Sequence, residues 1–159
     1  LEDLWRKTGE SVLLNVPDGN RFVVIDILES PQHLRSAPPV GFSIPARASA
    51  TAWALLPYMR ADEQALYAGG PPDADMLDQF ATTLERGYAV SRGDVAEGSN
   101  NVAAPIFEFD GRPVGVVLIS IPTERASAER IAEVGLMVLE TARKLSRGTA
   151  PRLEKEAAA

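Results

Sequence analysis

Apolar residues recur along the chain in two rhythms. Leu1, Leu4 and Trp5 stand at helical spacing, with Gly9 as a stop. The period then shortens to that of strands. "SVLLNV" and "RFVVIDIL" flank "PDGN", and two such runs about an Asp-Gly turn predict a β-hairpin. "ESPQHLRSAPPVGFSIPARAS" has no rhythm. Its Pro31, Pro38, Pro39 and Pro45 forbid a helix, so it reads as a long loop with one short strand at Gly41–Ile44. "SATAWALLPYM" predicts a helix capped by Ser49, which Pro57 ends or kinks by removing an amide. "ADEQALY" is a second short helix, stopped by Gly69-Gly70. "DADMLDQFATTLERG" is amphipathic, with Asp73 as cap, Met76, Phe80 and Leu84 as the buried stripe, and Gly87 as the end. After the strand "YAVS" and the loop "RGDVAEGS" comes a second hairpin, Asn101–Phe109 and Val114–Ile121. The last helix is capped by Ser127 and buries Ile131, Val134, Val138 and Leu145, with basic residues at its C-terminal end. Strands joined by tight turns make an antiparallel sheet, so the expected class is α+β, one domain with helices over that sheet.

The second hairpin is the most informative stretch. A two-residue turn at Asp110-Gly111 sets Asn101 opposite Ser120, Ala103 opposite Leu118 and Phe107 opposite Val114. The other face carries Val102 with Ile119 and Ala104 with Val117, an apolar surface suited to the last helix. The first face turns polar at its far end, where Asn101 and Ser120 meet. That pair is either a strand end reaching solvent or the polar end of a small-molecule pocket.

Composition removes several function classes. A chain of 159 residues with formal net charge -6 is a poor grip for nucleic acid, which needs clustered Lys and Arg. There is no cysteine, hence no disulfide, thiolate nucleophile or Cys-based metal site. This fits a reducing, cytoplasmic setting. His33 is the only histidine, so a HExxH zinc site is impossible and any Ser-His pair must use it. Ser49 with His33 is the one such pair to weigh, and no GxSxG or P-loop motif supports an enzyme. Val114–Ile121, the longest apolar stretch, is too short to span a bilayer.

Taken together, "ERGYAVSRGDVAEGSNNVAAPIFEFDGRPVGVVLISIPTER" resembles the C-terminal effector-binding domain of the IclR family of bacterial transcriptional regulators. The matching features are Gly87-Tyr88-Ala89, the acidic loop at Asp94, Gly98, Val102–Phe107, Asp110-Gly111 and Ser120-Ile121-Pro122. "TGESVLLNV", "FVVIDILESP", "HLR" and "IPARASATAWALL" fit its N-terminal part. The resemblance implies a GAF-like fold over residues 1–148, with 149–159 a tail. It also implies a winged helix-turn-helix DNA-binding domain upstream, in keeping with an opening at Leu1 that reads as the middle of something. Such a domain binds a small metabolite, needs no cofactor or metal, and forms a homodimer or homotetramer. DNA is then contacted only through the upstream domain, and no membrane is involved.

Carried over residue by residue, the family pocket falls on Leu34, Ala50, Thr51, Trp53, Ser91, Asn101, Ala103, Leu118 and Ser120. Asn101 and Ser120 are its polar end and Trp53 an apolar wall. Arg35 and Arg47 are weighed as carboxylate partners against a role as solvated loop residues. The competing readings are an oligomerisation domain without a ligand and, behind it, a small-molecule enzyme.

Overall fold

The computed structural model describes residues 1–93 and 97–150. Asp94 and residues 151–159 of the expected tail lie outside the described residues. The first helix, α1 (Glu2–Thr8), ends at Gly9, whose φ of 68° is the left-handed conformation that glycine adopts without penalty. Strands β1 (Ser11–Asp18) and β2 (Arg21–Leu28) form the first hairpin. Asp18 pairs with Arg21, so the two loop residues are Gly19-Asn20 rather than the expected Asp18-Gly19. Gly19 has φ 62°, and no described residue other than glycine has a positive φ. A positive angle at the first loop residue alone is the type II′ pattern, which matches the twist of paired strands.

Strand β3 is shorter than expected, only Ser43–Ile44, and pairs with β2. The chain before it still bonds to Val24, through Gly41 N–H at 2.7 Å and Phe42 C=O at 3.1 Å. Helix α2 (Ala50–Leu55) is capped by Ser49 and passes into one 3-10 turn, Leu56–Tyr58, at Pro57. Helices α3 (Ala61–Ala68) and α4 (Ala74–Arg86) follow, then β4 (Ala89–Arg92), β5 (Ser99–Phe107), β6 (Pro113–Pro122) and α5 (Ala128–Leu145). The strands form one six-stranded sheet, order β3-β2-β1-β6-β5-β4, with every pair antiparallel.

The β5–β6 register agrees with expectation from Asn101↔Ser120 to Ile106↔Gly115. The turn does not. Gly111 N–H donates to Glu108 C=O and Glu108 N–H to Arg112 C=O, which makes Phe109-Asp110-Gly111 a three-residue loop. That loop alone would shift the pairing by one, and Phe107 indeed faces Pro113, not Val114. Val114 is the extra residue of a bulge, and it restores the register from Ile106 onward. Pro105 faces Val116, beyond the last β4 partner at Ala103. Farther along the same outer edge, Phe107 N–H donates to Ser146 Oγ at 3.0 Å and Phe107 C=O accepts from Arg147 N–H at 2.9 Å.

Both sheet faces are covered. Leu13, Ala103, Val116 and Leu118 pack under α2 and α4. Val102, Ala104, Val117 and Ile119 pack against Ile131, Val134 and Val138 of α5, as the alternation predicts. Each fully buried Val or Ile contributes about 1.5–3 kcal/mol relative to exposure. Two stripe positions differ from expectation. Leu84 and Leu145 are 39% and 44% exposed, and Thr83 and Ala142 are buried in their place. In α4 the buried Met76, Phe80 and Thr83 follow steps of four then three, which keep to one side of a 3.6-residue helix, whereas Leu84 would need a second step of four.

Candidate functional site

The polar end of the β5–β6 hairpin opens onto a cavity of about 290 Å³ between the sheet and the long loop. Leu13, Val24 and Leu118 form the sheet side. Ala50 and Thr51, at the start of α2, close a second side. Ser36, Ala37 and Pro38 of the loop, with Phe42 and Ile44, close a third.

Polar groups gather at two places on the wall. At one, Ser99 Oγ and Ser120 Oγ lie 2.8 Å apart, diagonal across the hairpin, beside Asn101. Asn101 Nδ2 reaches Ser91 Oγ on β4 at 3.5 Å, the outer limit of a hydrogen bond. At the other, Asn15 Nδ2 donates to Thr51 Oγ1 at 2.9 Å, while Asn15 Oδ1 is buried without a hydrogen-bond partner. No charged side chain is among the described residues lining the cavity. The described wall has hydrogen-bonding ends and an apolar middle, suited to holding a small molecule.

Five of the nine residues carried over from the resemblance line this cavity: Ala50, Thr51, Asn101, Leu118 and Ser120. Ser91 stands behind Asn101 as its hydrogen-bond partner. Ala103 is fully buried in the core under α2, deeper along β5. Trp53 points elsewhere: its Nε1 donates to Arg47 C=O at 3.2 Å, and its ring borders a surface hollow with Asp73 and Met76. Leu34 is exposed, and its carbonyl accepts from Arg125 Nη2 at 3.0 Å. Sequence reasoning missed Asn15. Its signal was an amide inside the apolar run "SVLLNV", on the face that carries Leu13.

Three of the other candidates, Arg47, Arg35 and Ser49, are engaged within the chain. Arg47 pairs with Asp73 at 2.5 Å and Arg35 with Glu29 at 3.2 Å. Ser49 Oγ donates to Pro45 C=O at 2.6 Å and accepts from Ala52 N–H at 3.2 Å, so it serves as a helix cap rather than a nucleophile. His33 is exposed. Among the described residues no group of three or more His, Cys, Asp or Glu could hold a metal ion.

The family described as "Bacterial transcriptional regulator IclR C-terminal" matches the chain over residues 1–147. The chain belongs to the IclR family. This IclR C-terminal domain is 32% identical to the HTH-type transcriptional repressor AllR of Escherichia coli over 158 residues, covering 87% of the chain and 55% of AllR. It is 29% identical to the HTH-type transcriptional regulator BhcR of Paracoccus denitrificans, covering 96% of the chain and 58% of that protein. The chain thus spans little more than half the length of these relatives. A crystal structure of the C-terminal domain of a Vibrio cholerae transcriptional regulator superposes with a TM-score of 0.82 at 29% identity, covering 91% of each chain. The α+β, GAF-like architecture is that of IclR C-terminal domains, and the relatives named here are regulators of transcription, not enzymes. Among the described residues no helix is long and apolar enough to cross a membrane.

Proposed function

We propose that this domain senses a small organic metabolite in the cavity between the sheet and the long loop. In this reading, occupancy alters DNA binding by a winged helix-turn-helix domain upstream of residues 1–148. The domain also carries the contacts of a cytoplasmic homodimer or homotetramer, and touches DNA only through that upstream domain. The observation that carries the reading is the unfilled space beside Ser99, Asn101 and Ser120, all at most 8% exposed. A domain serving oligomerisation alone has no reason to keep buried polar groups around a cavity, since each buried hydroxyl or amide is costly without a partner.

Asn101 and Ser120 act by hydrogen bonding and shape, not chemistry. A thermal-shift screen against small organic acids, aldehydes, amides and aromatics identifies a binder, because a ligand that prefers the native state raises the melting temperature. With that binder, Asn101→Ala weakens affinity by about 1–3 kcal/mol, the cost of a buried ligand group left without its partner. Melting changes little, because the strand keeps its backbone ladder. Unchanged affinity with lowered stability refutes the role given to Asn101.

A further inference from the structure

Three side chains converge on the junction between α1 and β1. Thr8 C=O accepts from Arg130 Nη2 of α5 at 3.0 Å, and Gly9 C=O accepts from Ser30 Oγ, beyond β2, at 2.6 Å. Glu10 accepts from Arg125, Nε to Oε1 and Nη2 to Oε2, both at 2.7 Å. The Glu10 side chain is 3% exposed, so this bidentate pair is largely shielded from water. An ion pair that served the junction alone would end there. Arg125 goes further, because its Nη2 also donates to Leu34 C=O at 3.0 Å. Leu34 stands just before Ser36, Ala37 and Pro38, which wall the cavity. Arg125 itself closes the 3-10 turn Thr123–Arg125, which follows directly on β6 and its Ser120. Asn100, beside Asn101 on β5, donates to Thr123 Oγ1 at 2.9 Å and anchors that turn. One guanidinium thus holds the end of α1 and the loop over the cavity at the same time.

We infer that Arg125 is a coupling residue, which ties the position of the loop over the cavity to the position of α1, so that displacing one loosens the other. This rests on the ligand-sensing reading above and supplies its moving part. In that reading α1, the first element of the domain, is the one that follows the upstream DNA-binding domain. The donors of a guanidinium lie in one rigid plane. If the loop is pushed outward, Arg125 cannot follow Leu34 C=O and keep both bonds to Glu10. Losing the first frees the loop further. Losing the second leaves a buried carboxylate poorly paired, which is unfavourable enough to open the junction to water. Ser36, Ala37 and Pro38 are only half-buried, so the wall that a ligand would push is also the one with room to move. Coupling of this kind is reciprocal, and a change in α1 alters the loop by the same free energy.

The chain has no cysteine, so one introduced thiol is labelled at a single place. Ala37→Cys puts that thiol on the loop wall of the cavity. The probe is N-ethylmaleimide, whose adduct takes up space between loop and sheet and requires no known ligand. Hydrogen exchange is read in α1 with and without the adduct, and the buried β5 residues Val102 to Ile106 serve as the reference for global stability. The expected result is that the adduct speeds exchange in Glu2–Thr8 by about threefold or more relative to that reference. With Arg125→Lys added, the adduct leaves the ratio unchanged, because an ammonium keeps the charge but cannot hold Glu10 and Leu34 in one plane. Glu10→Gln, which keeps the size and removes one carboxylate oxygen, also lowers the response and serves where Arg125→Lys folds poorly. An adduct that leaves α1 unaffected while Arg125 is intact overturns the inference, and that comparison needs no change at Arg125. Equal acceleration with and without Arg125→Lys overturns it too, since the signal then bypasses Arg125. Both of these results leave the sensing reading standing. That reading fails by a different result, the absence of any binder across the whole metabolite screen.

Discussion

Replacing Arg125 with Met strands a buried carboxylate. Glu10 lies between α1 and β1, with its side chain only 3% exposed, and both its oxygens accept from Arg125 at 2.7 Å. Arg125 also donates to the carbonyl of Leu34, in the loop that goes on to wall the cavity. Removing one partner of a buried ion pair costs about 3–5 kcal/mol, mostly the penalty of the charge left behind. The Arg125 side chain is 28% exposed, so water reaches the site and the expected loss is nearer 2–3 kcal/mol. For a domain of this size about 1 kcal/mol moves the midpoint by roughly 2–4 °C, so Arg125→Met melts roughly 5–10 °C lower. Calorimetry on four proteins isolates the cause: wild type, Arg125→Met, Glu10→Gln, and the double variant. The double variant is more stable than Arg125→Met alone, because neutralising Glu10 removes the stranded charge. If the two single losses simply add, the pair is uncoupled and the reasoning is refuted.

Three other outcomes follow from the packing, the caps and the charge. A Cβ built at Gly135 of α5 falls 2.3 Å from Tyr88 Cζ, so Gly135→Ala forces the ring aside and costs about 1–3 kcal/mol in chemical denaturation. Asp73 accepts from Met76 N–H at the start of α4 and pairs with Arg47, and these contacts, the backbone bond first, hold its carboxyl below the ordinary range. A depressed folded-state value means that the stabilisation is present above the ordinary carboxylate range and lost as pH falls through and below it. The melting difference between wild type and Asp73→Asn, which keeps a good cap, therefore narrows below about pH 4. With formal net charge -6, the chain alone shows no tight, salt-sensitive binding to duplex DNA in fluorescence anisotropy.

The elements were legible because punctuation and period agreed. Ser49, Asp73 and Ser127 cap the helices expected of them, and Gly9 and Gly87 end theirs in the left-handed conformation. The β5–β6 register was legible for a less direct reason. The loop is one residue longer than expected and Val114 takes up one residue on β6, so two local departures cancel before Ile106. A turn sequence does not encode a bulge elsewhere in the partner strand, and only the alternation of Asn101, Ala103 and Pro105 against the core fixes the result. The candidate site was legible only along strands. Asn101, Leu118 and Ser120 follow from pairing two adjacent segments, whereas Asn15 and Thr51 meet across 36 positions. The direction of Trp53 depends on how far α2 turns before Pro57, and spacing alone does not determine that. Leu34 was placed near the site by its loop, but its backbone is what Arg125 holds.

Pro105 has a consequence for how this sheet meets other chains. β5 extends beyond β4, so the outer edge from Ala104 to Phe107 lacks a neighbouring strand. Phe107 is occupied by residues 146 to 148, and by strand alternation the backbone of residue 105 faces that same side. A proline there has no N–H to offer. A foreign strand approaching the gap finds one donor missing and the next position taken. Open edges of this kind are templates for aggregation, and a proline is one of the few side chains that blunts one without adding charge. Replacing Pro105 with Val or Thr leaves the core side almost unchanged, yet it restores a free amide in the gap. Colloidal failure on concentration or prolonged storage, rather than a lower melting point, is where that loss would register.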